Sequence, residues 1–221
     1  MLITAGTTYK KQELSEIFGN SSVQAMKRKL ARYGISFNTS GRGEQATFEI
    51  LEIADRFKVF CIIELKVAAN TDFPKLRNFY YYFFNDDEFR SMPDEVKEYR
   101  MMECGKPVSR QTIAHYTQKL IDQGWVWQDH YEFIYYFAYK NTQRITTRKE
   151  YSQAWKNYWQ DKENGLDSID AIGNMIICCG GVARKQAKIE ANAFYLTKIN
   201  ELCDLIQESF EKETENQNIV K

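Results

Sequence analysis

Hydrogen-bonding and cationic side chains recur on one face of a helix predicted between Ser109 and Gly124. At about 100° per residue, this face lies opposite the apolar residues of the same helix. Amide and guanidinium groups can bond to base edges, and cations can bond to phosphates, so these residue types suit contacts with nucleic acid. The predicted DNA-binding residues of this helix are Ser109, Arg110, Gln111, Thr112, His115, Gln118 and Lys119.

A second set of such side chains lies on a helix predicted from Ser21 or Ser22 to Tyr33. Apolar residues share one face of this helix and polar residues the other, which predicts one buried and one exposed side. A predicted hairpin follows, and the arginine at its tip either contacts a phosphate or minor groove or is simply a solvated charge. The candidate DNA-binding residues of this segment are Gln24, Lys27, Arg28, Arg32 and Arg42.

Catalytic and metal-binding groups are not evident in the sequence. The two histidines, His115 and His130, are explained by a helix face and a turn, and no set of nucleophile, base and orienting group stands out. The five cysteines include no C-x-x-C pair, and the adjacent Cys178 and Cys179 lie in an apolar stretch. We therefore predict a protein that is not an enzyme and that needs no metal or other cofactor.

A helix, a turn and a second helix position the first set of side chains. Pro93 suits the first turn of a helix, and Gly105 with Pro107 ends it. Ser109 can then accept a hydrogen bond from an unpaired N–H at the start of the next helix. The predicted buried face of that helix contains Ile113, Tyr116 or Thr117, and Leu120.

Two strands are predicted after this helix, over residues 125–127 and 131–139, around a Gln-Asp-His turn. The stretch GKPVSRQTIAHYTQKLIDQGWV resembles the helix-turn-helix of winged-helix proteins common on phages and other mobile elements of Gram-positive bacteria. The resemblance covers about a quarter of the chain and is at the level of the fold. It implies DNA binding by this element or descent from a DNA-binding ancestor, because a fold alone does not fix function.

The N-terminal segment predicts a further winged helix-turn-helix. Two helices ending at Gly19 and Gly34 precede a hairpin over residues 35–39 and 45–51, which turns at Ser-Gly-Arg-Gly. Residues 55–67 fit the period of a strand as well as that of a helix, and we predict a helix. The aromatic run YYYFF after Pro74 is predicted to be core rather than a base-stacking surface, since acidic residues adjoin it.

The C-terminal region is predicted to be helical. An aromatic-rich helix begins after Thr146 or Thr147, and a helix of about 30 residues is predicted from Val182. Its apolar residues recur every seven positions, which is typical either of a homodimer seam or of packing within the chain. These residues are Val182, Ile189, Leu196, Cys203 and Phe210. The polar end, KETENQNIVK, is predicted to fray.

The formal net charge of the 221 residues is zero, which argues against indiscriminate binding to phosphates. The charge is nevertheless segregated, because residues 1–51 carry seven cations against four acids and residues 105–149 carry seven against three. Acidic residues collect in 86–103 and after Asn200. With no signal peptide and no apolar run of membrane length, we expect a cytoplasmic protein without a membrane partner.

The expected fold is mainly α with small β-hairpin wings, an α+β class. We predict tandem winged helix-turn-helix modules over 1–53 and 73–145, a connecting segment over 54–72, and a helical C-terminal region over 146–221. The expected function is sequence-specific binding of double-stranded DNA, as a transcriptional regulator or replication-type initiator of a phage or mobile element. The alternative is a mobile-element inhibitor, such as an anti-CRISPR, that binds a host protein or nucleoprotein through these modules and acidic patches.

Overall fold

The computed structural model describes residues 3–19, 21–140 and 142–219, without the side chains of His130 and of residues 216–219. The chain divides into two compact units, the first formed by residues 1–77 and 197–221 and the second by residues 78–196. In the described residues, each unit contains one three-stranded antiparallel sheet among helices. The α+β class is therefore as predicted.

The first unit is built on a small sheet of strand order β1-β3-β2. Its elements are β1 (Thr8–Lys10), α1 (Lys11–Phe18), α2 (Val23–Tyr33), β2 (Ile35–Ser40), β3 (Thr47–Ile53) and α3 (Arg56–Glu64). The helix α4 (Phe73–Asn85) begins in this unit, and α10 (Leu196–Ile219) belongs to it from residue 197 onward. The helix predicted within residues 55–67 is thus confirmed as α3.

The core of the first unit joins both helices of the pair α1 and α2 to the sheet. Leu14, Met26 and Leu30 are fully buried and pack with Phe48 of β3. Helix α2 begins at Ser22, whose hydroxyl accepts from the backbone N–H of Ala25, and it ends at Gly34 in the left-handed region. The apolar stripe predicted for α2 is therefore the buried face of this helix.

The β2–β3 hairpin turns where the sequence predicts it. Gly41 has a φ of 75°, and a Cβ placed on it would lie 2.6 Å from the carbonyl oxygen of Gln45. Only glycine fits this backbone, because a side chain would be strained by φ and would collide with the opposite end of the turn. Arg42 follows at the exposed tip.

The second unit contains helices α5 (Asp87–Ser91), α6 (Asp94–Glu103), α7 (Arg110–Asp122), α8 (Arg148–Glu163) and α9 (Ser168–Cys179). Its sheet has the order β5-β4-β6 and consists of β4 (Val126–Tyr139), β5 (Thr142–Thr146) and β6 (Val182–Ala191). Tyr80 and Phe83 of the YYYFF run are buried, as predicted, and the rings of Tyr80 and Tyr116 lie 6.2 Å apart. Helices α6 and α7 confirm the predicted helix, turn and helix.

The turn predicted at residues 128–130 is wrong. β4 runs through this point as one strand, with a register shift against β6 between Asp129 and Phe133. The carboxylate of Asp129 accepts from the backbone N–H groups of Tyr131 and Glu132, so the local turn chemistry forms a bulge instead of a hairpin. The hairpin partner of β4 is β5, which follows a turn at Lys140 with a φ of 51°.

The single helix predicted from Val182 is also wrong, because residues 182–191 form β6. Gly180, in the left-handed region, ends α9, and a Cβ on Gly181 would lie 2.7 Å from the carbonyl carbon of Ala138. Glycine therefore lets the backbone approach β4 closely enough for pairing to start at Val182. Antiparallel pairing with β4 then overrides the local helix preference of this segment.

The seven-residue seam predicted across this region does not exist, since Val182 and Ile189 lie on a strand. In α10 the buried residues are Ile199, Leu202, Leu205 and Ile206, so its apolar stripe lies in the interior of the chain. The structural basis for a homodimer through the helix after Val182 is thereby removed. Helix α10 extends through Lys212 to Ile219, residues 220–221 lie outside the described residues, and the fraying of this end stays a prediction.

Candidate nucleic-acid interface

Helix α2 presents a polar stripe on the side opposite its buried residues. Gln24, Arg28 and Arg32 are all exposed, whereas Met26 and Leu30 are fully buried. The spacing of four residues places successive side chains of the stripe about 6 Å apart, so it extends about 12 Å along the helix. This is the arrangement that the sequence predicts for these residues.

The cations of α2 differ in whether they bond to other groups of the protein. Among the described residues, Arg28 and Arg32 have no ion-pair partner, and neither does the half-buried Lys27. Lys29 is different, because its Nζ donates to the carbonyl oxygen of Phe18 at 2.9 Å and to Oγ of Ser21 at 2.7 Å. Lys29 therefore holds the turn between α1 and α2, while Arg28 and Arg32 leave their charges available to a ligand.

The tip of the β2–β3 hairpin adds another exposed cation, Arg42. The nearby carboxylate of Glu44 is paired with Nζ of Lys11, a residue that is itself buried. Because Glu44 is neutralised by Lys11, the positive charge of Arg42 is not cancelled by the acid two residues away. Both the helix stripe and the hairpin tip of the first unit are therefore positive.

Several of the predicted DNA-binding side chains of α7 form hydrogen bonds within the helix itself. Oγ of Ser109 accepts from the backbone N–H of Thr112 at 3.4 Å and lies 2.9 Å from Oγ1 of Thr112, which is a helix cap. The amide of Gln118 donates to Asp122 at 2.7 Å. These three polar side chains are thus occupied within the helix.

Arg110 is the α7 residue whose environment departs most from the prediction. Its guanidinium lies 2.8 Å from the carboxylate of Glu95, and its backbone N–H donates to Glu98 at 3.1 Å. Gln111 and His115 remain exposed, and Lys119 is half-buried without an ion pair among the described residues. The outer face of α7 is therefore polar but close to neutral, whereas that of α2 is cationic.

The hairpin β4–β5 and the adjoining strand β6 carry cations that the sequence interpretation did not select. Lys140 lies at its turn, and Gln143 and Arg184 line a groove of about 170 Å³ together with Lys140, Tyr136 and the α6 residue Glu95. Burial raises the pKa of the Tyr136 hydroxyl, against the opposing effect of Arg184. The missed signal was the pair of β-prone runs on either side of Lys140, because the turn had been assigned to Gln-Asp-His instead.

The acidic segment 86–103 is largely neutralised by its own cations. Arg90 pairs with Asp87 at 2.8 Å, and Arg100 lies 3.9 Å from Asp86 and 3.7 Å from Glu88. Two further acids of this segment, Asp94 and Glu95, pair with Lys97 and Arg110. The structure therefore does not present this segment as an unpaired acidic surface.

The described part of the chain contains few side chains suited to binding a metal ion or to redox chemistry. No three His, Cys, Asp or Glu residues there are grouped so that they could hold a metal ion. The described residues contain no disulfide bond, and burial raises the pKa of the Cys61 thiol well above its usual value, which disfavours the reactive thiolate. Among the described residues, no helix has the length and apolar composition needed to span a bilayer.

Comparison with protein-family models, with curated protein sequences and with solved structures gives no match for this chain.

Proposed function

We propose that this protein binds double-stranded DNA through α2 and the β2–β3 hairpin, as a sequence-specific regulator or replication-type initiator. The observation that carries the proposal is the exposed stripe of Gln24, Arg28 and Arg32, whose arginines have no ion-pair partner among the described residues. Contacts with phosphates and guanines require exposed cations that are not already bound to other side chains of the protein.

The order of elements supports this proposal. A helix, a turn and a second helix followed directly by a two-stranded hairpin is the arrangement of a winged helix-turn-helix, and residues 11–53 have this order. In such a module the second helix enters the major groove, and the hairpin contacts the backbone or the minor groove. In this proposal α2 is the helix of the major groove, and the exposed Arg42 is the hairpin contact.

The side chains of α2 differ in the DNA groups that they can contact. Gln24 lies near the N-terminal end of the helix, where an amide can make a bidentate contact with adenine. Arg28 and Arg32 can contact guanine or phosphates, and Lys27 and Arg42 can contact phosphates. Helix α7, followed by β4 and β5, is the weaker second contact, because Arg110 is neutralised by Glu95.

The alternative, a mobile-element inhibitor that binds a host protein or nucleoprotein, has less support. It relies on acidic segments that could occupy a basic surface of the partner, yet most acids of residues 86–103 are paired internally. Several acids of α10 are also engaged, since Glu208 pairs with Arg56 and Glu213 with Arg77. These pairs would have to break before the carboxylates could meet a partner's cations.

A gel-shift titration of the intact chain tests the proposal. The probes are the duplex upstream of its own gene and a scrambled duplex of the same composition, each at two salt concentrations. We expect tighter binding to the upstream duplex and an affinity that falls with salt, because phosphate contacts release counterions. Absence of binding to both duplexes at the lower salt concentration would refute DNA binding and favour the inhibitor.

Gln24→Ala should weaken binding to the preferred duplex by about 1 to 3 kcal/mol, as for a lost bidentate base contact, with little effect on the scrambled duplex. Gln111→Ala is the matched substitution on α7, and it should have the smaller effect because α7 is the weaker contact. Competition binding with both duplexes measures the two losses. A larger loss for Gln111→Ala would assign base reading to α7 instead.

Glu95→Ala should strengthen DNA binding, because it frees the guanidinium of Arg110 from its 2.8 Å ion pair. One additional phosphate contact should steepen the dependence of log affinity on log salt by about 1 for preferred and scrambled duplexes alike. Lys119→Ala on the same helix is the opposite control, and it should reduce that slope by about 1. Unchanged slopes in both variants would exclude phosphate contacts by α7.

A further inference from the structure

A groove of about 170 Å³ lies between the second sheet and the first turn of α6. Tyr136 and Ala138 alternate with Phe137 on β4, so their side chains share one face of the strand. The strand register places Arg184 of β6 opposite Tyr136. It places Gln143 of β5 opposite Ala138, and cross-strand partners lie on the same face of a sheet. The small side chain of Ala138 therefore leaves space between larger polar neighbours.

Two cations that line the groove are available to a ligand. Arg184 and Lys140 are exposed, and neither has an ion-pair partner in the part of the chain that the structure describes. The acid that lines the groove is Glu95, whose carboxylate lies 2.8 Å from the guanidinium of Arg110. Because Glu95 is neutralised by Arg110, the groove retains an excess of positive charge. This charge favours an anion as the ligand.

The hydroxyl of Tyr136 adds a hydrogen-bond donor to the groove. Tyr136 is only 5% exposed, and its hydroxyl has no hydrogen bond among the described residues. Burial raises the pKa of this hydroxyl, an effect that Arg184 opposes and Glu95 reinforces. The hydroxyl therefore lies close to the charged groups of the groove and keeps its proton at neutral pH. A buried donor of this kind is normally paired, and an anion in the groove would supply the acceptor.

The first turn of α6 forms the side of the groove opposite the sheet. Glu95 and Val96 belong to this turn, and α6 begins after Pro93 without a side-chain cap. The first N–H groups of a helix have no partner within the helix, and they form the positive end of its dipole. Such a terminus favours a negatively charged ligand, and phosphate is a common one. The position of α6 thus agrees with the excess of positive charge in the groove.

We propose that this groove binds a phosphate group, as inorganic phosphate or as the phosphate of a small monoester. The guanidinium of Arg184 can donate two parallel hydrogen bonds to phosphate oxygens, and Lys140 supplies a second positive charge. The hydroxyl of Tyr136 and the amide of Gln143 are neutral donors to the remaining oxygens. The volume of about 170 Å³ suits a group of this size rather than a DNA duplex. None of these residues belongs to α2 or to the β2–β3 hairpin, so phosphate binding here goes beyond the proposed function.

Isothermal titration calorimetry of the intact chain without DNA tests the proposal, with inorganic phosphate added at constant ionic strength. The parent should bind with a dissociation constant on the order of 1 mM or lower. Arg184→Gln and Tyr136→Phe should each raise this constant about tenfold, as for the loss of a hydrogen bond to a charged group. Lys185→Gln is the matched control, because it removes the same charge from the next residue of β6, on the other face of the sheet. It should change the constant by less than about twofold.

Adenosine monophosphate and adenosine, titrated in the same way, identify the source of the phosphate group. Tighter binding of adenosine monophosphate than of inorganic phosphate, without binding of adenosine, indicates a monoester, whereas equal or weaker binding indicates free phosphate. An absence of phosphate binding up to about 10 mM would overturn the proposal. Equal losses for Arg184→Gln and Lys185→Gln, or unchanged binding by Tyr136→Phe, would also overturn it, with circular dichroism confirming that each variant folds. Because no DNA is present, the outcome is independent of the DNA-binding test.

Discussion

Replacing Arg28 and Arg32 together by alanine should remove most of the affinity for DNA. Two lost contacts at about 1 to 3 kcal/mol each give an expected loss of about 2 to 6 kcal/mol on the preferred duplex. The physical reason is that both guanidinium groups are exposed on one stripe of α2 without an ion-pair partner among the described residues. Fluorescence anisotropy with a labelled duplex measures the loss, and the salt slope should fall by about 2 if both contact phosphates.

Lys75→Ala is the matched control for this experiment. Lys75 is an exposed cation of the first unit, but it is paired with Asp72 at 3.0 Å at the start of α4. Its loss changes the net charge without touching α2, so the DNA affinity should remain within about threefold of the parent value. If Lys75→Ala weakened binding as much as either arginine substitution, only the overall charge would matter, and α2 would lose its assigned role.

Asp94→Ala should destabilise the second unit strongly, because Asp94 is the carboxylate partner of a buried cation. Nζ of Lys97 lies 3.5 Å from Oδ1 of Asp94 and 5.6 Å from the centre of the Phe83 ring, and Lys97 is fully buried. Removing one partner of a buried pair leaves a buried charge uncompensated, which costs about 3 to 5 kcal/mol. Urea unfolding of parent and variant measures the difference in the free energy of unfolding.

Two further variants separate the buried charge from other effects. Glu95→Ala removes an exposed acid from the same first turn of α6 and should cost under about 1 kcal/mol, the size of a helix-dipole effect. Lys97→Met removes the charge and keeps the volume, so it should be neutral or stabilising. If Asp94→Ala cost no more stability than Glu95→Ala, a contribution of the Lys97–Asp94 ion pair to the free energy of unfolding would be excluded.

The stability of the Asp94→Ala variant should depend on pH because of the buried amine of Lys97. Burial lowers the pKa of Lys97 in the folded protein, while Asp94 opposes this shift. In the unfolded chain the pKa is higher, so the unfolded state binds more protons and the stability rises as the pH approaches the ordinary lysine value. Loss of Asp94 lowers the folded pKa further, so the deficit of the variant should shrink as the pH is raised above neutral.

Local patterns in the sequence were sufficient to predict the candidate interface of the first unit. The caps at Ser22 and Gly34, the buried residues of α2 and the glycine-containing hairpin all depend on residues close in sequence. The exposed positions of Gln24, Arg28 and Arg32 follow once the buried face is fixed. The same reasoning placed α6, α7 and their connecting turn.

Contacts between distant residues could not be predicted in this way. The segment 182–191 has good helix formers, and only its pairing with β4, more than 40 residues earlier, makes it a strand. Likewise, the charge count of residues 105–149 was correct, but the ion pair between Arg110 and Glu95 cancels part of the positive charge. Periodicity shows which side of a helix is exposed, but it does not show which exposed cations are already neutralised.

The discontinuous composition of the first unit has a consequence for the order of folding during synthesis. Residues 197–219 contribute the salt bridges from Glu208 to Arg56 and from Glu213 to Arg77, and the contact of Lys198 with Glu64. The ribosome makes these residues only after the whole continuous segment 78–196 has been translated. The first unit therefore cannot complete these contacts until the last helix has been made, so a released chain truncated after Leu196 should protect only the second unit fully from hydrogen exchange.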